Sequence, residues 1–168
     1  MKKIIASLLL LNFLLTPALA TNVKVPKDTT TILLTVDKSV DSKNVVTGAV
    51  LNAKISENVY VNKHLIFKEG TPATVNVTFV KPATIMGAPG EIILENGKVK
   101  DVNGDNHILM FGRKFQGNAK LYPKVFTAVG ILCWPCLFFG LAKGGQAVVP
   151  TNYEIPATLR DDFSINTL

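Results

Sequence analysis

The sequence contains few of the residues from which catalytic and metal sites are built. Its 168 residues include two cysteines, two histidines and one tryptophan. Two cysteines need two further ligands to complete a tetrahedral metal site, and the only histidines are His64 and His107. No Ser/His/Asp set, Cys/His set, carboxylate pair or phosphate-binding glycine loop stands out. We therefore expect a protein that is not an enzyme and that holds no cofactor and no metal.

A strong excess of one charge is also missing. The chain has 18 basic and 12 acidic residues, which gives a formal net charge of +6. The lysines are scattered, and aromatic residues do not alternate with them as they do in many nucleic-acid-binding surfaces. We expect no nucleic-acid binding, and attraction to anionic envelope surfaces fits this charge better.

The first 20 residues have the pattern of a cleavable export signal. Met1-Lys2-Lys3 is followed by an apolar stretch over residues 4–15, and then by Ala18-Leu19-Ala20. Small residues at Ala18 and Ala20 are typical of a signal-peptidase site, which places the cut before Thr21. An uncleaved anchor is the alternative, but a membrane helix needs about 20 apolar residues. We predict a signal-peptide helix over 1–20 and an exported bacterial protein that is periplasmic or associated with the outer membrane.

Residues 21–168 are predicted to form one β-rich domain without a long amphipathic helix. Residues 73–80 alternate strictly, with Val75, Val77 and Phe79 on one face, as in a half-buried strand. Asn96-Gly97 and Asn103-Gly104 are typical hairpin turns. The predicted strands are Thr29–Val36, Val50–Ile55, Ala73–Val80, Glu91–Glu95, Lys98–Val102, His107–Phe111, Ala147–Val149 and Tyr153–Leu159. Pro150 and Pro156 are expected at edges or bends.

The predicted fold is therefore all-β: a single barrel or sandwich of short antiparallel strands, with one apolar helical or hairpin insertion. The insertion is residues 125–142, a run without any charge. It is open to three interpretations: a buried connection, a membrane-touching hairpin or subunit contact, and a single membrane span. If it is exposed, such a patch marks a membrane or protein interface. The residues that would make this contact are Val125, Phe126, Ile131, Leu132, Trp134, Leu137, Phe138, Phe139 and Leu141.

Cys133-Trp134-Pro135-Cys136 lies inside the apolar run. A Cys-x-x-Cys pair can exchange disulfides when its surroundings lower one thiol pKa. The flanking residues are apolar on both sides, without cationic support. A structural disulfide between Cys133 and Cys136, formed in an oxidising compartment, is the favoured interpretation. Two buried thiols and a redox site remain the alternatives.

Two acidic groups have simple structural interpretations. Asp101, Asn103 and Asp105 resemble the opening of a calcium loop, but the glycine and glutamate expected later in that loop are missing. A turn between two strands is the favoured interpretation. Asp161-Asp162 beside Arg160 is predicted to be a solvated strand end.

From about residue 45 to residue 163, the order of features resembles the C-terminal domain of TrbI-type channel proteins of conjugation and type IV secretion. The similar stretches are Gly48–Val50, Glu57–Tyr60, His64–Thr71, Glu91–Leu94, Val102–Leu109 and Asn152–Phe163. The resemblance implies a β-barrel domain, and the uncharged run falls where that family inserts its membrane-crossing antenna. The run is shorter than two full spans, and the family's inner-membrane helix and proline-rich stretch are absent. A stand-alone relative that serves as an envelope scaffold is the expectation.

Three functions follow from these patterns. The first is a structural or assembly protein of the cell envelope, which contacts envelope proteins, copies of itself or a membrane through residues 125–142. The second is a thiol-disulfide protein that uses Cys133 and Cys136. The third is a soluble module that binds sugars, peptides or envelope polymers through a barrel face.

Overall fold

The computed structural model describes residues 21–27, 30–85, 87–119 and 142–167. Within these ranges the chain contains strands and no helix. The strands are β1 (Thr21–Val25), β2 (Thr31–Val36), β3 (Val40–Asp41), β4 (Val50–Ile55), β5 (Val59–Val61), β6 (His64–Phe67), β7 (Pro72–Lys81), β8 (Glu91–Lys100), β9 (Asn106–Gln116), β10 (Val148–Val149), β11 (Glu154–Leu159) and β12 (Phe163–Thr167). The predicted signal helix over 1–20 and all but the last residue of the predicted insertion lie outside the described residues.

Six strands close into a barrel in the order β11-β2-β4-β7-β8-β9, and each neighbouring pair is antiparallel. The all-β prediction is confirmed, with a barrel rather than a sandwich. Three short two-stranded ribbons accompany the barrel: β1 with β12, β10 with β3, and β5 with β6.

The barrel interior follows from the alternation of the sequence. In β4, Leu51, Ala53 and Ile55 are buried, whereas the residues between them are exposed. Such alternation places one set of side chains inside because successive residues of a strand point to opposite faces. Val75 and Val77 of β7 join the same core, as their period-two pattern predicts. Each fully buried aliphatic side chain contributes about 1.5–3 kcal/mol to stability through removal from water.

One predicted hairpin is wrong. The segments Glu91–Glu95 and Lys98–Val102 were expected to be two strands joined by a turn at Asn96-Gly97, but β8 runs without interruption from Glu91 to Lys100. A β-bulge between Leu94 and Asn96 shifts the register instead. Gly97 faces the interior, where a Cβ atom would lie 2.2 Å from the carbonyl oxygen of Thr74. The glycine therefore allows close strand packing rather than a turn.

The second Asn-Gly pair is a turn, as predicted. It lies in the loop between β8 and β9, where Gly104 has a φ of 92° and its amide donates to the carbonyl of Asp101 at 3.1 Å. This loop is at one end of the barrel. Glu91 and Gln116 pair at the opposite end of the same two strands, about 30 Å away at 3.3 Å per residue.

Pro156 lies where the hydrogen-bond ladder that closes the barrel is interrupted. It lies in β11, and its partner on β2 is Leu33. The carbonyl of Leu33 accepts from the amide of Ser56 and therefore points towards β4, away from β11. Leu33 and Pro156 are thus opposite each other without a hydrogen bond between them, and the backbone of Pro156 points towards β9. Pairing between β11 and β9 stops two residues away, at Thr158↔Met110. Since proline has no N–H to continue a ladder, the pairing of β11 with β9 is interrupted here, and we call this interruption the seam. Pro156 thus lies at an edge, as predicted.

Candidate functional site

The structure leaves most of the predicted contact residues outside its described ranges. Thr21, the predicted first residue after cleavage, begins β1. The residues that lie outside are Ala18, Ala20, Val125, Phe126, Ile131, Leu132, Cys133, Trp134, Cys136, Leu137, Phe138, Phe139 and Leu141. The described chain does show where residues 120–141 leave the barrel and where they return.

The residues that flank this segment are hydrogen-bonded neighbours. The amide of Gly145 donates to the carbonyl of Asn118 at 2.9 Å. Gly117 donates to the carbonyl of Gly90 at 3.0 Å, and Gly90 donates to the carbonyl of Gly145 at 2.9 Å. These bonds join both ends to the loop between β7 and β8. We call this assembly the neck: Ser42 and residues 82–85, 87–90, 117–119 and 142–147.

A buried polar group strengthens the neck. Ser42 is 1% exposed, and its hydroxyl donates to Gln146 Oε1 at 2.7 Å and accepts from the amide of Ala147 at 3.0 Å. Gln146 Oε1 also accepts from the amide of Ala83 at 3.0 Å. Buried polar groups that are fully hydrogen-bonded fix one arrangement, because any other leaves an unpaired group. The neck is therefore defined by specific bonds as well as by apolar packing.

Close backbone approach explains the glycines of the neck. A Cβ atom on Gly117 would lie 2.0 Å from the carbonyl oxygen of Gly145, which no side chain can occupy without moving the backbone. The sequence carries a signal for this feature: Gly117 precedes the apolar run, and Gly144-Gly145 follow it. The sequence analysis assigned these glycines no role, because the backbone groups that each glycine approaches are distant along the chain.

A second cluster lies at the opposite end of the barrel. The carboxylate of Asp101 is fully buried, and its Oδ2 lies 3.0 Å from Nε2 of His107. Its Oδ1 accepts from the amides of Asn103 and Asp105 at 2.9 and 3.0 Å. The carboxylate thus stabilises the turn that the sequence predicts between β8 and β9.

His107 is part of this packing. Its ring stacks on that of Phe163, with centroids 3.7 Å apart, and makes a T-shaped contact with Phe67, with centroids 6.0 Å apart. A histidine–carboxylate pair needs a nucleophile to carry out acyl transfer, and no Ser, Thr or Cys side chain is hydrogen-bonded to His107 in the part of the chain that the structure describes. The pair holds the β8–β9 hairpin against the C-terminal strand.

The acidic group beside Arg160 is exposed to solvent. Arg160 and Asp161 are 59% and 82% exposed with 3.9 Å between charged atoms, which agrees with a solvated strand end. Among the described residues, no three His, Cys, Asp or Glu side chains are grouped so that they could hold a metal ion. Within the same ranges, no helix is long and apolar enough to cross a bilayer.

No protein-family model matches the chain, and no curated protein matches it significantly. The class that the fold defines is an all-β protein with a closed six-stranded barrel.

Proposed function

We propose that this is an exported, non-enzymatic protein of the bacterial cell envelope, in which the barrel is a scaffold and residues 125–142 contact a membrane or a partner protein. The observation that carries the proposal is the neck. It holds the residues before and after the chain that contains the uncharged segment together at one end of the barrel, by hydrogen bonds between Asn118, Gly145 and Gly90. A scaffold that presents an apolar segment at a defined position needs such a fixed base.

The geometry of the neck favours contact over a single membrane span. A helix that crosses a bilayer once brings its ends to opposite faces, about 30 Å apart. Asn118 and Gly145 are hydrogen-bonded, and Ala142 accepts from the amide of Gly87 at 3.1 Å. The described chain therefore ends at Ala119 and resumes at Ala142 on the same side of the barrel. We therefore propose a peripheral or subunit contact.

The resemblance to TrbI-type domains suggests the class of partner. In this proposal the barrel acts in a conjugation-like or secretion-like envelope complex, with other envelope proteins or further copies of the chain as its neighbours. Co-purification of such channel components with the tagged protein would identify the complex. A barrel that always purifies alone and as a monomer would leave only the membrane contact.

Cell fractionation tests the apolar contact. The triple variant Leu137→Ser, Phe138→Asn and Phe139→Ser should move the protein from the membrane fraction to the soluble fraction, because burial of apolar area contributes about 25 cal/mol per Å² to association. An unchanged distribution, with an unchanged thermal unfolding curve, would contradict the proposed contact.

A matched control uses apolar side chains that the barrel already exposes elsewhere. Val46, Val50 and Met110 are 70%, 57% and 52% exposed. Their replacement by serine removes exposed apolar side chains without touching the segment, so it should leave the distribution unchanged. If this control also releases the protein, attachment depends on general surface hydrophobicity rather than on residues 125–142.

Export has its own test. N-terminal sequencing of the protein recovered from the periplasm or outer membrane should begin at Thr21, since the predicted signal peptidase site follows Ala20. Recovery of Met1 in the cytoplasmic fraction would contradict export while leaving the barrel and its neck unaffected.

A further inference from the structure

The outer face of the barrel carries a groove lined by several polar side chains. The groove has a volume of about 510 Å³ and crosses β4, β7, β8 and the start of β9. The strand register brings its polar residues together: Asn52 pairs with Thr74, Thr74 with Lys98, and Lys100 with Asn106. Within the described residues, none of these five side chains makes a hydrogen bond or ion pair.

The groove has a net positive charge. Lys98 and Lys100 are exposed on the same face of β8, about 7 Å apart along the strand because they are two residues apart. Among the described residues that line the groove, Asp37 is the acidic one, and its Oδ1 lies 3.8 Å from Nζ of Lys54. That ion pair leaves the two groove lysines without a counter-charge.

Recognition in this groove depends on side chains rather than on the backbone. The ladders between β4, β7, β8 and β9 already pair the strands along the whole groove. An extended peptide that adds a strand needs an unpaired edge, and this surface is a sheet face. Amides and hydroxyls can both donate and accept, which suits sugar hydroxyls, while ammonium groups suit anions. A second groove of about 340 Å³ adjoins at Lys98 and adds Asn76, Asn96 and Arg160.

From this combination we infer that the groove binds an anionic polysaccharide. The ammonium groups of Lys98 and Lys100 contact its carboxylate or phosphate groups, and the side chains of Asn52, Thr74 and Asn106 hydrogen-bond its hydroxyls. This inference is independent of the membrane or partner contact proposed above, because none of the groove residues belongs to the neck or to residues 125–142.

Titration calorimetry on the purified protein tests the charge requirement, with polygalacturonate and phosphomannan as the two anionic probes and dextran as the neutral one. The variant Lys98→Gln/Lys100→Gln should bind both anionic probes at least about tenfold more weakly than the unmodified protein. The stronger of the two probes identifies the anion. The control variant Lys68→Gln/Lys81→Gln removes the same charge from exposed lysines outside the groove and should keep full affinity.

The carbohydrate requirement has a separate test with polyglutamate. The variant Asn52→Ala/Asn106→Ala should lose affinity for polygalacturonate but not for polyglutamate, which has no hydroxyls. Three results would overturn the inference: no binding of either anionic polysaccharide, equal loss in the control lysine variant, or polyglutamate binding as tight as that of polygalacturonate. Thermal unfolding of each variant verifies that the barrel is intact.

Discussion

The imidazole ring of His107 stacks on the phenyl ring of Phe163, with ring centroids 3.7 Å apart and planes 25° apart. This contact joins the C-terminal strand to the β8–β9 hairpin, and the buried carboxylate of Asp101 holds the imidazole from the other side. The two ends of the barrel are thus stabilised in different ways. One end uses a histidine–carboxylate pair within aromatic packing, and the other uses the neck.

Replacement of His107 by alanine should lower the free energy of unfolding by about 1–3 kcal/mol, because the buried Oδ2 of Asp101 loses its hydrogen-bond partner. Loss of the ring stack on Phe163 adds to this cost. The variant His107→Phe retains a ring and should recover part of the loss. Urea unfolding followed by tyrosine fluorescence measures the difference.

The second histidine provides the control. His64 begins β6, is half-buried, and makes no ring contact or side-chain hydrogen bond among the described residues. His64→Ala should therefore change the free energy of unfolding by less than about 0.5 kcal/mol. Equal losses for both alanine variants would show that the cluster around Asp101 contributes nothing specific.

Two glycines near the end of β9 should respond oppositely to the same substitution. Gly117→Ala should destabilise the protein by more than about 2 kcal/mol, because its Cβ would lie 2.0 Å from the carbonyl oxygen of Gly145. Gly112→Ala places a Cβ in open space, and alanine costs less backbone entropy than glycine, so stability should stay equal or rise slightly. Thermal unfolding of the two variants makes the comparison.

Because Gly117 belongs to the neck, its substitution also tests the proposed contact through residues 125–142. Gly117→Ala should also alter membrane or partner association of residues 125–142 if the neck positions that segment, whereas Gly112→Ala should not. A Gly117→Ala protein that melts like the unmodified protein would contradict the backbone contact between Gly117 and Gly145.

The two Asn-Gly pairs show what the sequence can and cannot predict. Both have the residues preferred in hairpin turns. Asn103-Gly104 forms a turn, whereas Asn96-Gly97 lies inside β8, where Gly97 packs against Thr74 and Asn96 bonds to Asn76. A local pattern reports which backbone conformations are permitted. Which of them is adopted depends on neighbours about 20 residues away.

The all-β class and the main strands could be predicted because alternation is local, whereas the pattern left a barrel and a sandwich as alternatives. The bounds of Val50–Ile55 agree with the structure, and those of β7 differ by one residue at each end. The ribbon of β1 and β12 was missed, since it pairs Thr21–Val25 with Phe163–Thr167 across the whole chain. The neck and the groove were missed for the same reason, because each depends on pairing between distant segments.

A missed turn gives a stability prediction. Asn62 and Lys63 have φ angles of 50° and 69°, and they form the two-residue loop between Val61 and His64. Such a loop requires positive φ at both positions, where asparagine is tolerated and lysine is strained. Lys63→Gly should therefore raise the free energy of unfolding by about 1 kcal/mol.

A lysine-to-glycine substitution at a strand position provides the comparison. Lys100 ends β8 and has no positive φ. Lys100→Gly should lower the free energy of unfolding by about 0.5–1 kcal/mol, since glycine loses more backbone entropy on folding. If Lys63→Gly is destabilising to the same extent, the loop between β5 and β6 does not have the positive φ angles described.

Hydrogen exchange should alternate along the second half of β9. The amide of Gly117 donates to Gly90 beside β8, so by alternation the amides of Arg113 and Phe115 also point towards β8, where residues 113–116 are paired without a gap. The carbonyl of Ile108 accepts from Arg160 beside β11, so by alternation the amides of Gly112 and Lys114 point towards β11, where pairing has ended at the seam beside Pro156. Successive residues of an edge strand direct their N–H groups to opposite sides, so Gly112 and Lys114 should exchange at least about tenfold faster than their neighbours. Uniform protection from residue 112 to residue 115, measured by NMR, would mean that β11 completes the barrel despite its proline.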